Sequence, residues 1–152
     1  MADIIHRIGI KSPATQVYKA LTSIHGLANW WTEETEGDGH TGGKIIFRFR
    51  SETGDIKGEM AMEVKELIPR KSIQWLCIDG PEEWIGTTIN FNLSEQDGQT
   101  IILFGHRSWR EAVEFTAHCS MKWAVFLLSL REYVETGKGK PSPHDLKIDN
   151  WN

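Results

Sequence analysis

Apolar and polar residues alternate over much of the chain, and this period of two predicts β-strands. The first run covers Asp3–Lys11, and its apolar face carries Ile4, His6, Ile8 and Ile10. Five later runs carry the following apolar faces: Ile45, Phe47 and Phe49; Met60, Met62 and Val64; Ile73, Trp75 and Cys77; Ile89, Phe91 and Leu93; Ile102, Phe104 and His106. Turn signals rich in Gly, Asp and Pro separate these runs, and short turns join antiparallel neighbours. We therefore predict an antiparallel meander from Lys44 onward.

Helical spacing predicts two short helices directly after the first strand. Ser12 suits the N-cap of the first helix and Pro13 its first helical position. The second helix is predicted from about Ile24 to Trp31 and ends in two adjacent tryptophans. Because neighbours on a helix point in different directions, we expect one of Trp30 and Trp31 to pack inward and the other to line a cavity mouth. The acidic, glycine-rich segment Glu33–Gly43 is predicted to be a loop.

A long helix is predicted from about Glu114 to Thr136. Gly137 follows as a suitable residue to end it, since glycine adopts the left-handed conformation that this position favours. Its apolar stripe comprises Cys119, Trp123, Phe126, Leu127, Leu130 and Val134. The tail after Lys138 is rich in Gly, Pro and Lys and is expected to be loosely held.

These elements predict an α+β fold in which a curved antiparallel sheet wraps around the C-terminal helix. A sheet with one apolar face must cover that face, and only the last helix is long enough to lie across it. A curved sheet rarely closes flush on a helix, so a cavity is expected between them. Residues 1–152 are predicted to form a single domain.

Several motifs along the chain resemble the START-like (SRPBCC) superfamily with its helix-grip fold. The branch most similar is that of the C-terminal domain of the heat-shock-protein-90 ATPase activator (AHSA-like). The residues that carry the resemblance are Pro13, Val17, Ala20, Leu21, Thr22, Trp30, Trp31, Gly42 and Gly43, then Pro69, Gln74, Trp75, Gly98, Thr100 and His106, and finally Trp123, Leu127, Leu130, Tyr133 and the segment 135–139. The resemblance implies the helix-grip fold and a possible link to a chaperone. Related branches bind lipids, hormones or polyketides, or act as cyclases and hydrolases.

Composition and charge narrow the classes of partner. A chain of 152 residues that is 39% hydrophobic and 25% charged can bury an ordinary globular core. Its net charge of −4 argues against a general nucleic-acid binder, which needs a positive field. No stretch resembles a signal peptide or a membrane span, and Cys77 and Cys119 are far apart without a paired motif. We expect a cytoplasmic protein without a cofactor or a metal.

The inward faces of the strands and of the last helix supply the candidate ligand-binding residues. They are Trp31, Phe47, Phe49, Met60, Met62, Trp75, Phe91, Phe104, His106, Trp123 and Leu127. Aromatic rings and flexible methionines suit an apolar ligand, but the same side chains would have the same pattern if they only filled the core. The seven tryptophans of the chain fit either interpretation.

Other groups have competing interpretations. His106 faces inward and could act as a general acid or base, or it could be a hydrogen-bonded structural residue. A zinc site of His106, His118, Cys77 and Cys119 lacks the short ligand spacings that mark such sites. The acidic segment Glu33–Gly43 lacks the spacing of a calcium loop and is expected to be solvated.

Three functions follow from these observations, in this order of preference. The first is binding of a small hydrophobic or amphipathic molecule between the sheet and the C-terminal helix. The second is a chaperone-linked interaction, similar to that of the heat-shock-protein-90 ATPase activator, through an exposed face. The third is a cyclase or hydrolase that uses His106, for which no catalytic partner is evident in the sequence.

Overall fold

A computed structural model describes residues 1–152 and shows a curved, seven-stranded antiparallel sheet with three helices. The elements are β1 (Ala2–Ile10), α1 (Ala14–Thr22), α2 (Ile24–Trp30), β2 (Glu34–Gly37), β3 (Lys44–Arg50), β4 (Ile56–Ile68), β5 (Ser72–Asp79), β6 (Thr88–Gln96), β7 (Gln99–Trp109) and α3 (Glu114–Thr136). The strands lie in the order β1-β7-β6-β5-β4-β3-β2. The meander is thus continuous, and β1 joins it by pairing with the last strand. The helix-grip fold is confirmed.

The strand register confirms the inward faces predicted from the alternation in the central strands. On β7, Phe104 lies opposite His6 of β1 and Phe91 of β6, and His106 lies opposite Ile4 and Ile89. Cross-strand neighbours of this kind share one face of the sheet. The central strands therefore present a continuous row of aromatic and aliphatic side chains toward α3.

In β4 the predicted inward face of Met60, Met62 and Val64 is confirmed, because all three pack in the core or against it. Its pairing with β3 stays regular around Ala61 and Met62, so these neighbours lie on opposite faces although both are buried. The register with β5, however, shifts between Ala61 and Met62 and again between Val64 and Glu66. Such bulges interrupt the alternation, and at the second shift Lys65 and Glu66 are both exposed.

Two boundary predictions also need correction. The segment Glu33–Gly43 is not all loop, because β2 lies within it and pairs with β3. This strand is tied down by its inward Thr35, whose hydroxyl donates to the Thr32 carbonyl at 2.7 Å. Helix α1 begins one residue later than predicted, with Pro13 rather than Ser12 at the cap position. The carboxylate of Glu95 on β6 accepts a hydrogen bond from the Ala14 amide, which has no partner within the helix.

Helix α3 covers the concave face of the sheet, and its predicted bounds are confirmed. Gly137 ends it with φ 89°, and the Gly137 amide donates to the Tyr133 carbonyl at 2.7 Å. Trp123, Leu127 and Leu130 lie buried in the same core as the inward side chains of the strands. None of the three helices is both long and apolar enough to cross a membrane.

The C-terminal tail is held more firmly than its composition suggested. The Lys140 amide donates to Ser129 Oγ on α3, and the Ser142 amide donates to the Trp31 carbonyl, both at 2.8 Å. Further along, Asp145 is only 7% exposed and pairs with Lys122 of α3. The prediction of a loosely held tail is therefore wrong, because contacts distant in sequence anchor it along α3.

The hydroxyl of Ser129 yields a test of this anchoring. It donates to the Trp30 carbonyl at 2.8 Å while accepting from the Lys140 amide, so one group joins α2, α3 and the tail. Replacing Ser129 with alanine leaves two backbone groups without partners and should lower the free energy of unfolding by about 1–3 kcal/mol. Chemical denaturation measures this loss. Thr136→Ala, which removes an exposed hydroxyl bonded only to the near neighbours Glu132 and Lys138, is the control and should change stability little.

Candidate functional site

A cavity of about 190 Å³ lies beneath α3, between the β3–β4 side of the sheet and the C-terminal tail. The sheet and the segment after β5 contribute Phe49, Arg50, Lys57, Gly58, Met60, Pro81 and Trp84, and Trp31 stands at the end of α2. Helix α3 contributes Phe115, His118, Cys119, Lys122, Trp123 and Phe126. These positions recur at intervals of three and four, so they form one face of the helix. The tail contributes Ser142, Asp145, Lys147, Trp151 and Asn152 along the remaining side, and the space stays partly open to solvent.

Trp31 separates this cavity from the filled part of the interior. Its ring centroid lies 4.3 Å from that of Phe47 and 4.9 Å from that of Trp123, with Phe49 at 5.7 Å. It also stacks on Trp75 at 6.0 Å. One side of the indole therefore packs against the core while Trp31 also forms part of the cavity wall. Its neighbour Trp30 is buried, and its indole N–H donates to the Ala20 carbonyl at 2.9 Å.

The candidate ligand-binding residues fall into two groups. Four of them line the cavity, namely Trp31, Phe49, Met60 and Trp123. The other seven pack in the core without reaching the cavity, namely Phe47, Met62, Trp75, Phe91, Phe104, His106 and Leu127. Phe91, for example, lies 5.2 Å from Phe104 and 5.3 Å from Trp75 between ring centroids. The alternation indicated the correct face for these residues but not whether a ring or an empty space lies above it.

His106 is a fully buried structural residue with both ring nitrogens occupied. Its Nδ1 accepts from the Trp123 indole N–H at 3.0 Å, and its Nε2 lies 2.8 Å from the Thr87 hydroxyl. Because an indole can only donate, Nδ1 carries no proton, and Nε2–H donates to Thr87. The Thr87 hydroxyl donates in turn to the Trp84 carbonyl at 2.6 Å. This chain of hydrogen bonds requires a neutral imidazole.

Burial reinforces that neutrality. Desolvation lowers the pKa of His106 to about 3, because the charged ring would lose its hydration without gaining a carboxylate partner. A ring with no free nitrogen and a low pKa is not available as a general acid or base near neutral pH. Burial also raises the pKa of Cys77 to about 11 and that of Cys119 to about 12. No three histidine, cysteine or acidic side chains lie together in an arrangement that could hold a metal.

Lys122, Lys147 and Asp145 form a charged part of the cavity wall that the sequence analysis did not single out. Lys122 and Lys147 both contact the carboxylate of Asp145, the latter at 3.1 Å. Burial raises the pKa of Asp145, but the hydrogen bonds and charges of the two lysines outweigh it and hold the pKa below its ordinary value. His118 forms a second bond to the tail through Asp149 at 2.7 Å.

Trp84 and Trp151 are further wall residues that the sequence analysis missed. Both interrupt polar segments, Trp84 in the turn after β5 and Trp151 in the tail. A lone aromatic residue in a polar segment was the available signal, since such a side chain commonly packs against the body of the domain. Which part of the domain the side chain packs against, however, depends on residues far away in the sequence.

Comparison with known proteins shows where this architecture recurs. Residues 11–135 match the sequence profile of the family described as activator of Hsp90 ATPase homolog 1-like protein. The solution structure of the Aha1 dimer from Colwellia psychrerythraea is similar at 44% identity, covering 91% of this chain and 100% of that chain with a TM-score of 0.78. The resemblance to the AHSA-like branch is thus confirmed. A search of curated proteins found no match.

More distant structures share the fold alone. A crystal structure of a protein from Mesorhizobium loti is 17% identical, covers 88% of this chain and 97% of that chain, and has a TM-score of 0.73. The solution structure of an AHSA1-like protein from Aeromonas hydrophila is 13% identical, with 90% and 94% coverage and a TM-score of 0.73. The sheet and its long helix therefore persist while most side chains differ.

The state of His106 can be tested by its titration. We expect its ring resonances in NMR spectra to stay those of the Nε2–H neutral tautomer down to about pH 5, because its folded pKa lies far below the unfolded value. The unfolded chain then binds a proton that the native chain does not, so the stability from this residue is present above pH ~6.5 and lost as the pH falls toward ~3. The loss should reach at most ~1.4 kcal/mol per pH unit.

His106→Gln serves as the matched variant, since it keeps a polar side chain but cannot titrate. In this variant the free energy of unfolding should fall less as the pH is lowered from ~6.5 toward ~3. A midpoint for His106 near its ordinary value would contradict the structural role.

Proposed function

The chain belongs to the family of activator of Hsp90 ATPase homolog 1-like proteins, and on that premise we propose that it binds a small apolar or amphipathic molecule in the cavity beneath α3. The observation that supports this proposal is the cavity of about 190 Å³ with aromatic walls at one end of an otherwise filled interior. Ligand sites are commonly concave, mainly apolar and equipped with a few polar groups. Here the polar groups stand on the tail and on the facing turns of α3.

The volume limits the size of the ligand. An apolar protein cavity of about 150 Å³ is known to take up benzene. A space of about 190 Å³ therefore suits one aromatic ring with a short substituent, or a short acyl chain. A long lipid or a multi-ring polyketide would have to displace the tail, which Lys122 and Ser129 hold in place. For a ligand of about ten non-hydrogen atoms we expect a dissociation constant of roughly 10 μM to 1 mM.

Catalysis by His106 is not supported by its surroundings. The ring lies outside the cavity wall, and Trp123 and Thr87 occupy its two nitrogens. A substrate in the cavity would contact Trp123, which lines the wall, rather than the imidazole, which does not. We therefore propose a binding function rather than a cyclase or hydrolase reaction.

A chaperone-linked interaction is the second candidate. The description of the family and the 44% identical Aha1 structure favour it. Exposed apolar side chains are also present, since Met121 is 56% exposed on α3 and Leu146 is 68% exposed on the tail. A cytoplasmic location, favoured by two free buried cysteines, and action as a single domain over residues 1–152 fit both candidates.

The ligand proposal is tested by adding single-ring compounds, neutral and charged, and following tryptophan fluorescence and melting temperature. Trp31, Trp84 and Trp123 line the cavity, so an occupant should change their emission. Gly58→Leu should weaken binding at least about tenfold, because a Cβ at Gly58 meets no atom within 4 Å and the longer side chain would enter the cavity. Its fold should be retained, since a Cβ at this position meets no neighbouring atom.

Lys65→Leu is the control, since it adds the same apolar side chain at an exposed position of the same strand. It should leave binding unchanged. If no compound shifts either signal, or if Gly58→Leu binds as well as the unaltered chain, the cavity is not a ligand site.

The chaperone candidate is tested by measuring the ATPase rate of an Hsp90-type chaperone with and without this protein. Met121→Glu and Leu146→Glu remove exposed apolar contacts without touching the core, so they should reduce any stimulation. Glu114→Gln, at the beginning of α3, is a surface control. An unchanged ATPase rate at saturating concentrations of the unaltered protein would eliminate this candidate.

A further inference from the structure

We propose that the ligand of the cavity is an organic carboxylate, with a ring-sized apolar body and its negative charge at the lysine-bearing side of the wall. This inference rests on the proposed function, since it specifies the chemistry of the molecule that the same cavity would bind. It depends on two independent observations, namely the buried donors without partners and the excess of positive charge in the wall.

The buried polar atoms of the wall that lack partners are all donors. Trp84 is 4% exposed, yet its indole Nε1 has no oxygen or nitrogen acceptor. The Cys119 thiol beside it is a weak acceptor, and this contact slightly offsets the rise in the thiol pKa caused by burial. Unpaired buried donors are rare in native proteins because desolvation without a partner costs free energy. Trp84 Nε1 therefore favours a ligand with an acceptor atom.

A second such donor is the amide Nδ2 of Asn152. The orientation of this amide follows from its other end, because Asn152 Oδ1 accepts from the backbone amides of Ile148 and Asp149. The nitrogen must then point away from those amides. Two unpaired donors in the wall of one cavity favour an acceptor-rich guest.

The charged side chains of the wall also favour a ligand that carries a negative charge. Its side chains include Arg50, Lys57, Lys122 and Lys147 but a single carboxylate, that of Asp145. Arg50 is paired with Glu34 outside the cavity, whereas Lys122 and Lys147 share Asp145 between them.

Lys57 lacks even a shared carboxylate. Its ammonium group contacts only the Trp151 backbone carbonyl, at 3.3 Å. In a chain of net charge −4, this wall is a local positive site with one ammonium group that no side-chain anion neutralises.

A carboxylate matches both features of the wall. A carboxylate has acceptor oxygens and no donors, so it does not bring a further N–H to the unpaired N–H groups of Trp84 and Asn152. Its hydrogen bonds to ammonium groups are charge-assisted. An amine would place a like charge among the lysines, and a neutral amide would bring further N–H groups to a wall that already has unpaired ones. The apolar body would lie against the rings of Trp31, Phe49 and Trp123.

Phenylacetate and phenylacetamide form a suitable pair of probes, because they share shape and size but differ in charge. Titration calorimetry at neutral pH and low salt should show phenylacetate binding about tenfold or more tightly. Raising the salt concentration should weaken phenylacetate and leave phenylacetamide unchanged, since ions screen the exposed lysines.

Variants assign the preference to the wall. Lys57→Met should reduce the preference for phenylacetate severalfold while leaving phenylacetamide binding unchanged, and Lys65→Met, on an exposed part of the same strand, should not. Trp84→Phe should weaken the binding of both probes, because it removes the indole N–H and keeps an aromatic ring. If Trp84→Phe fails to fold, the result for Lys57→Met alone tests the carboxylate inference.

The outcomes separate this inference from the proposed function. Equal affinity for the two probes, or tighter binding of the amide, overturns the carboxylate inference while leaving the cavity a ligand site. Binding of phenylacetate that Lys57→Met and salt leave unchanged also overturns it. If neither probe nor any other single-ring compound binds, the inference fails together with the proposed function.

Discussion

The hydrogen bond from the Trp123 indole to His106 Nδ1, 3.0 Å long and fully buried, fixes α3 on the sheet. An indole only donates, so the imidazole must be neutral and must donate from its other nitrogen. The Thr87 hydroxyl accepts that hydrogen bond and donates its own to the Trp84 carbonyl. One buried network thereby sets the positions of Trp123 and Trp84, which are two walls of the cavity. Because every member has a partner, it orders the core without introducing a charge.

The cavity follows from where the aromatic side chains end. Around Phe91 and Phe104 the rings from sheet and helix lie against one another, with Phe104 5.2 Å from Phe91 and 4.6 Å from Trp123 between ring centroids. Toward β3 and β4 the side chains become smaller or more flexible, with Gly58 and Met60 in place of rings. Gly58 leaves empty the volume that a side chain would have filled, and the tail lies beside this space without entering it. The same segment brings charged groups to a space that the sheet and helix make apolar.

The sequence predicted the directions of side chains better than the depth at which they pack. Alternation in β7 and helical spacing in α3 correctly placed Phe104 and Trp123 face to face, because these rules depend only on local geometry. These local rules could not show that His106 accepts a hydrogen bond from Trp123. Nor could they show that Trp31 lies between the packed core and the cavity. The register shifts between β4 and β5 were not predicted either, because no glycine or proline marks them.

The tail was missed for a related reason. Its anchors, such as Lys122 to Asp145, join residues far apart in the chain, and composition alone indicated a mobile segment. Accordingly, four of the predicted ligand residues line the cavity, while the contribution of Lys122, Lys147 and Asp145 to its wall was not predicted.

Xenon binding under pressure tests the central claim most directly, namely that the space between sheet and helix is filled except at this one end. Xenon enters apolar protein cavities without needing polar partners. A crystal structure under xenon should show the gas beside Met60, Trp84 and Trp123, and none among Phe91, Phe104 and His106. Xenon within that aromatic cluster, or no xenon in the protein at all, would contradict the account.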